Sequence, residues 1–419
     1  MRNRITVVAC VVMLAGILPQ LASGYQLGNR WTTTATSGSG LGQGDATTIT
    51  WSIIPDGTTI SGGAGEPSSG SNLINFLDTY IGSAAGSDLT QRPWFSIFDN
   101  SFGRMAEVSG LTAVYEANDD GQAIDGSSAP YGQTGVRGDV RVGGHSIDGQ
   151  FGSNILAYNY FPNHGDMVID TDNSSFYGQS ANNYRAMRNV VMHEHGHGVG
   201  LEHVESNNAS FLMEPYINTS FDGPQFDDIL GLHRHYGDAN EKANNEAGND
   251  TAANATSLGT IVAGSGTVEL GKDATDAVVA STDVDFVSID DNSDIDYFSF
   301  TVGNGVTVDL LLTPLGPTYN QGPQGGGQSS FAASNQSDLA LELLDTDGTS
   351  SLGLSDIAGL GWSESLTGIA LDAGTYFIKI TGDQNTAQMY GLDLTVTPEP
   401  ATMSLLALGG LALLRRRRK

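Results

Sequence analysis

His193-Glu194-His195-Gly196-His197-Gly198-Val199-Gly200-Leu201-Glu202-His203 is the stretch that decides how this chain is read. Residues four apart lie one above the other on a helix, so His193 and His197 present ring nitrogens to one point. Gly200 lacks a Cβ and tolerates a positive φ, which ends the helix sharply and lets His203 swing back as a third ligand. Three neutral imidazoles with a fourth position left open suit one zinc ion, and Glu194 is placed to act as general base on a water there. With His near 2% and Gly near 7% of residues, a chance match to the five fixed positions is on the order of one in 10⁵. The competing reading is a closed zinc site or a polar surface cluster. His195 falls outside the fixed positions and is expected to be exposed or hydrogen-bonded rather than a ligand.

Upstream, strand candidates are Thr47 to Ile54, Leu111 to Tyr115, Val136 to Val142, Leu156 to Pro162 and Met167 to Asp170. A broken helical region runs from Ser71 to Met105, and Asn182 to Gly198 reads as the helix that carries the histidines. A short helix over Phe226 to Tyr236 closes this mixed α+β (α/β-type) module. After a linker rich in Asn, Ala and Glu the pattern changes to short alternating runs, such as DYFSFTV at Asp296 to Val302 and GTYFIKITG at Gly374 to Gly382. That pattern predicts an all-β sandwich, with Pro314 to Gln336 as a mobile loop within it.

Of the 419 residues 47 are acidic and 18 basic, a formal charge of −29 that disfavours nucleic acid and anionic lipid as partners. The one cysteine, Cys10, lies in an apolar segment behind Arg2 and Arg4 and ahead of Ala22-Ser23-Gly24, the pattern of a signal peptide. Cleavage near Gly24 would leave no thiol, so disulfides and thiolate ligands are not expected.

The histidine motif together with Phe211-Leu212-Met213-Glu214-Pro215 resembles the metzincin zinc peptidases, and within them the matrixins. The likeness is clear from Val136 to Gly237 and loose from Tyr25 to Ala129. It implies a twisted sheet with a zinc-binding helix, zinc endopeptidase activity on polypeptides, and Met213 as the Met-turn residue packed beneath the metal. It implies further that LAYNYFP is the sheet edge along which an extended substrate lies. Calcium sites carry over to Asp139 and Asp166 with the Gly165 carbonyl, and to Asp148 and Asp170 near Gly149; ordinary Asp-Gly turn chemistry explains the same residues equally well. Tyr158 and Val168 stand where matrixins commonly carry histidines of a second, structural zinc, so one zinc is expected. His145 and His164 are then expected at the surface.

Residues from Gly248 to Val396 resemble the bacterial pre-peptidase C-terminal domain, through NDTAANATSLG, DIDYFSFTV, SDLALELLD and LDAGTYFIKITG. The end of the chain, Thr397-Pro398-Glu399-Pro400 followed by an apolar run and Arg415 to Lys419, resembles a PEP-CTERM sorting signal; a plain membrane anchor is the alternative. The expected layout is a signal peptide (1–24), a matrixin-like domain (25–237), a linker (238–247), a β-sandwich (248–396) and a sorting tail (397–419). It implies export, transient membrane association through the tail and an exosortase-like sorting peptidase as partner. The rival reading is a surface binding module that keeps a zinc site but has little peptidase activity.

Overall fold

A computed structural model describes residues 24–126, 131–149 and 155–399; the expected signal peptide up to Ser23, Pro400 and the rest of the expected tail, and part of the loop after Asp148 lie outside the described residues. The chain forms two compact units. The first takes the chain up to Lys242 together with two later segments, Asp276–Val284 and Pro317–Ala332.

In the first unit a five-stranded sheet runs in the order Leu111–Tyr115, Thr47–Ile53, Val140–His145, Met167–Asp170, Ala157–Asn159. All neighbours are parallel except the last, so Ala157–Asn159 is an antiparallel edge. The strand after Val136 begins four residues later than its sequence suggests. Gln133 and Arg137 close a turn first, and the strand then runs through two glycines to His145. A Cβ on Gly144 would lie 2.8 Å from Ile169 O of the neighbouring strand, so that position has no room for a side chain.

Two helices cover the sheet, Phe95–Glu107 and Arg185–Gly198, and they pack on each other. Trp51, from the strand Thr47–Ile53, stacks on Phe102 of the first helix at 4.7 Å between ring centroids. The second helix starts at Arg185 rather than Asn182, since Asn182, Asn183 and Tyr184 all hold positive φ, a left-handed conformation incompatible with an α-helix. Its histidine-bearing turns are buried on every side. A third helix, Phe226–Tyr236, opens on a capping box between Gln225 and Asp228.

The second unit is largely β. One five-stranded sheet runs Thr256–Thr260, Ile295–Val302, Gly374–Gly382, Leu339–Leu344, Ser351–Ser355; another is built on Gln388–Pro398 and Val306–Pro314. Strict alternation of buried and half-buried residues along Ile295–Val302 follows from the period of two in a strand with one face to the core. Both sheets feed one apolar core, with Phe298, Leu341 and Ile378 from the first and Val308, Leu310 and Leu392 from the second.

Pro314 to Gln336 is not a loose loop of this unit. It contains an antiparallel hairpin, Thr318–Pro323 with Ser329–Ala332, that pairs with Val204–Glu205 of the first unit and belongs to that unit. No helix among the described residues is long and apolar enough to cross a membrane.

Candidate active site

The helix Arg185–Gly198 ends in a Schellman motif: Leu201 N donates to Gly196 O at 2.8 Å and Gly200 N to His197 O at 3.0 Å, with Gly200 at φ +95°. A Cβ on Gly200 would sit 2.3 Å from Asn29 O, so both backbone conformation and space demand glycine. The chain thereby reverses and returns His203 to the helix.

His193, His197 and His203 converge. His203 Nε2 lies 3.2 Å from His193 Nε2 and 3.1 Å from His197 Nε2. Behind each ring the other nitrogen is held by an acceptor: Leu212 O on His193 Nδ1 and Leu201 O on His197 Nδ1, both at 2.7 Å, and Gln324 Oε1 on His203 Nδ1 at 2.9 Å. A neutral imidazole has one N–H, and these acceptors keep it on Nδ1, so three Nε2 lone pairs face one another with no proton between them. That arrangement is repulsive until a cation enters. Tetrahedral zinc at 2.0–2.1 Å from nitrogen sets its ligands about 3.3 Å apart, so the three residues fit zinc in spacing and donor chemistry. Burial, and then His203, push His193 down to about 3; burial likewise lowers His197 and His203, which keeps all three rings in the neutral, ligating form.

Glu194 is fully buried, and neither of its carboxylate oxygens has a hydrogen-bond partner among the described residues. Burial pushes it up to about 8. A buried carboxylate without donors is costly, and it sits on the same helix turn as His193 and His197. His195 is neither exposed nor hydrogen-bonded through Nδ1: it is buried against the Phe102 ring at 4.5 Å, tying the two helices together.

Met213 is buried, and a Cβ on Gly196 would come within 2.4 Å of its sulfur, so Gly196 makes the space that lets Met213 pack against the histidine helix. The turn that carries Met213 is pinned by a residue that sequence reasoning missed. Asp228, from the first turn of the helix Phe226–Tyr236, accepts from Leu212 N at 2.7 Å, Met213 N at 3.0 Å and Gln225 N at 2.8 Å. Its place at the third position of a capped helix was visible; its reach to the Met213 turn was not. The Leu201 and Leu212 carbonyls and Gln324 were likewise unforeseen.

Both acidic pairs already spend carboxylate oxygens on protein donors. Asp139 spends its carboxylate on Ala35 N, Thr50 N and Thr50 Oγ1, at 2.7–2.9 Å, while Asp166 Oδ1 accepts from Arg141 N and the Gly165 carbonyl from Asn159 Nδ2. Asp170 is pushed up to about 6 by burial, against the amides of Asp172 and Ile147, with repulsion from Asp172 and Asp148 adding to it. Asp170 Oδ1 accepts from Ile147 N at 3.1 Å and Asp172 N at 3.0 Å and its Oδ2 from Asn173 Nδ2 at 2.7 Å, while Asp148 Oδ2 accepts from Ile155 N at 3.2 Å.

His145 is buried, not at the surface. Its Nδ1 bonds Ser69 Oγ at 2.7 Å and its Nε2 bonds Glu66 Oε1 at 3.1 Å, and the Tyr158 hydroxyl donates to the same Glu66 oxygen at 3.0 Å. His164 stacks on Tyr160 at 4.2 Å with Nε2 3.4 Å from Asp166 Oδ2.

Residues 86–237 match the family described as Matrixin, a span that starts upstream of Val136, and residues 396–419 match the PEP-CTERM protein-sorting motif. Solved structures similar to the chain include a periplasmic inhibitor of g-type lysozyme from Aeromonas hydrophila (12% identity, 34% of this chain and 96% of that chain, TM-score 0.20). The pre-peptidase C-terminal domain of a collagenase from Bacillus anthracis is another (13% identity, 34% and 96%, TM-score 0.19). The matrixin match implies a zinc metalloprotease acting on polypeptides, and the sorting motif implies export and recognition by an exosortase-type system. This chain carries a matrixin-family peptidase domain and, at its end, a PEP-CTERM sorting motif.

Proposed function

We propose that the chain is an exported endopeptidase that hydrolyses peptide bonds at a single zinc held by His193, His197 and His203, with Glu194 as general base. One observation carries the reading: three Nε2 lone pairs converge, each fixed from behind, beside a buried carboxylate whose oxygens have no donor among the described residues. Zinc bound there supplies Lewis acidity, polarising the scissile carbonyl and bringing a water's pKa to roughly 7. Glu194 takes the proton from the attacking water and delivers it to the leaving amine. Its proximity to a cation favours the charged, proton-accepting form that burial alone disfavours.

An extended substrate adds as a strand along the edge Ala157–Asn159, against which the histidine helix packs. Met213, held by Asp228, supports the ligands from below. Calcium at either acidic pair, Asp139 with Asp166 or Asp148 with Asp170, would compete with the protein donors those carboxylates already accept from. The two-sheet unit is read as a sandwich appendage, and the tail as a signal that an exosortase-type peptidase removes after pausing the chain in the membrane.

The test is peptide hydrolysis by the chain and by Glu194→Ala, with metal content measured in both. The variant is expected to lose at least about 10²–10⁴-fold in rate while keeping its zinc. Near-native activity with full zinc overturns the role of Glu194, and a zinc-loaded but inactive parent chain would favour the surface binding module.

A further inference from the structure

The third imidazole differs from the other two in what holds it. His193 and His197 are fixed by main-chain carbonyls, whereas His203 is fixed by a side chain 121 residues further on, Gln324. Gln324 lies in the turn of the hairpin Thr318–Pro323 and Ser329–Ala332, whose first strand pairs antiparallel with the two residues that follow His203, Val204 opposite Pro323 and Glu205 opposite Gly322.

The hairpin is anchored in its unit. Tyr319 is 1% exposed, its hydroxyl donates to Asp227 Oδ1 at 2.7 Å, and its ring packs on Phe211 at 5.0 Å. Phe331 is buried against it, and Asn320 Nδ2 donates to Asn207 Oδ1 at 2.9 Å. Gln324 itself is exposed. An exposed amide ordinarily exchanges such a bond for water at little cost, so the value of this one depends on the anchored strand that delivers it.

We propose that Gln324 is a positioning residue for the zinc site: its side-chain oxygen keeps the His203 proton on Nδ1 and aims Nε2 at the metal, so that a hairpin lying outside the matrixin-matched residues completes the metal site. The proposal rests on the zinc reading given above. A carboxylate or carbonyl behind a ligating histidine raises its basicity and fixes its direction, and losing such a partner typically lowers metal affinity 10–100-fold. Of the three acceptors, only this one can be removed by substitution without touching the backbone.

The experiment uses the full chain and four single variants, Gln324→Ala, Gln324→Met, Gln324→Glu and, as a control on the same hairpin, Gln328→Ala. Zinc affinity is read by competition with a chromogenic chelator, and ligand geometry by the visible absorption of the cobalt-substituted proteins. Gln324→Met fills the same space without an acceptor, so it and Gln324→Ala are expected to bind zinc about 10–100-fold more weakly and to shift the cobalt bands. Gln324→Glu restores an acceptor and is expected within a few-fold of the parent chain, as is Gln328→Ala. Parent-like affinity and spectrum in Gln324→Met overturn the proposal even if Gln324→Ala misfolds, and so does a loss in Gln324→Glu equal to that in Gln324→Met. A parent chain that binds no zinc overturns instead the reading on which the proposal stands.

Discussion

Two polar clusters in the first unit, one of three histidines and one built around His145 and Glu66, balance differently. In Glu66, His145, Tyr158 and Ser69 donors and acceptors alternate: the Tyr158 hydroxyl and a His145 N–H meet one Glu66 oxygen, and the Gly63 and Ala64 amides donate to the same carboxylate. Burial alone would raise Glu66, but the backbone donors at Glu66 and Ala64, then Tyr158 and His145, hold it below its usual value. This cluster is complete in protein atoms. In His193, His197 and His203 every proton points outward, and the centre holds acceptors only. A surplus of inward lone pairs is what marks the three-histidine cluster as a candidate metal site.

The comparison breaks most easily with a chelator. Stripping metal is expected to abolish hydrolysis and lower the melting temperature of the first unit, since an ion that binds only the folded state stabilises it. Metal analysis should find one zinc before treatment, and two equivalents would mean that the Glu66 cluster, or another site, also binds metal. A smaller effect is expected from Tyr158→Phe, which removes a donor from a buried carboxylate at a cost of about 1–3 kcal/mol. Denaturant unfolding should show that loss with zinc content unchanged, and a parallel drop in zinc would join the two clusters into one. The smallest effect is in pH. Burial holds the three imidazoles below their usual value, His193 at about 3, so protons should compete with zinc only in strong acid. Glu66, with a lowered folded value, contributes stability that is fully present above about 4.5 and is lost as pH falls through its folded pKa. Glu66→Gln should flatten only that lower limb of a melting-temperature profile; an unchanged limb would remove Glu66 from the account.

How much of this was legible follows from what local sequence encodes. The convergence of His193, His197 and His203 could be read because a four-residue spacing and one glycine determine where they go, and the Schellman turn at Gly200 forms within the motif itself. Helix Phe226–Tyr236 was readable from its own periodicity. The Glu66 cluster was not, since it draws on a glycine-rich loop without periodicity and on strands far along the chain, and so His145 was expected at the surface. His195 was misplaced for a similar reason: its burial is set by Phe102 on another helix. The hairpin was hidden because only Tyr319 and Phe331 anchor it through apolar burial, too few for an alternating pattern to stand out from the surrounding Gly, Gln and Ser.

That hairpin also gives the molecule a schedule. A chain made from its N-terminus presents His193, His197 and His203 well before Gln324, 121 residues after His203, exists. At synthesis rates of about 5–20 residues per second, that gap is on the order of 10 s. During the interval the nascent peptidase has its ligands but lacks the strand beside His203 and the amide behind it. Under the proposed role of Gln324, His203 of the nascent chain stays without its side-chain partner until the hairpin has been made.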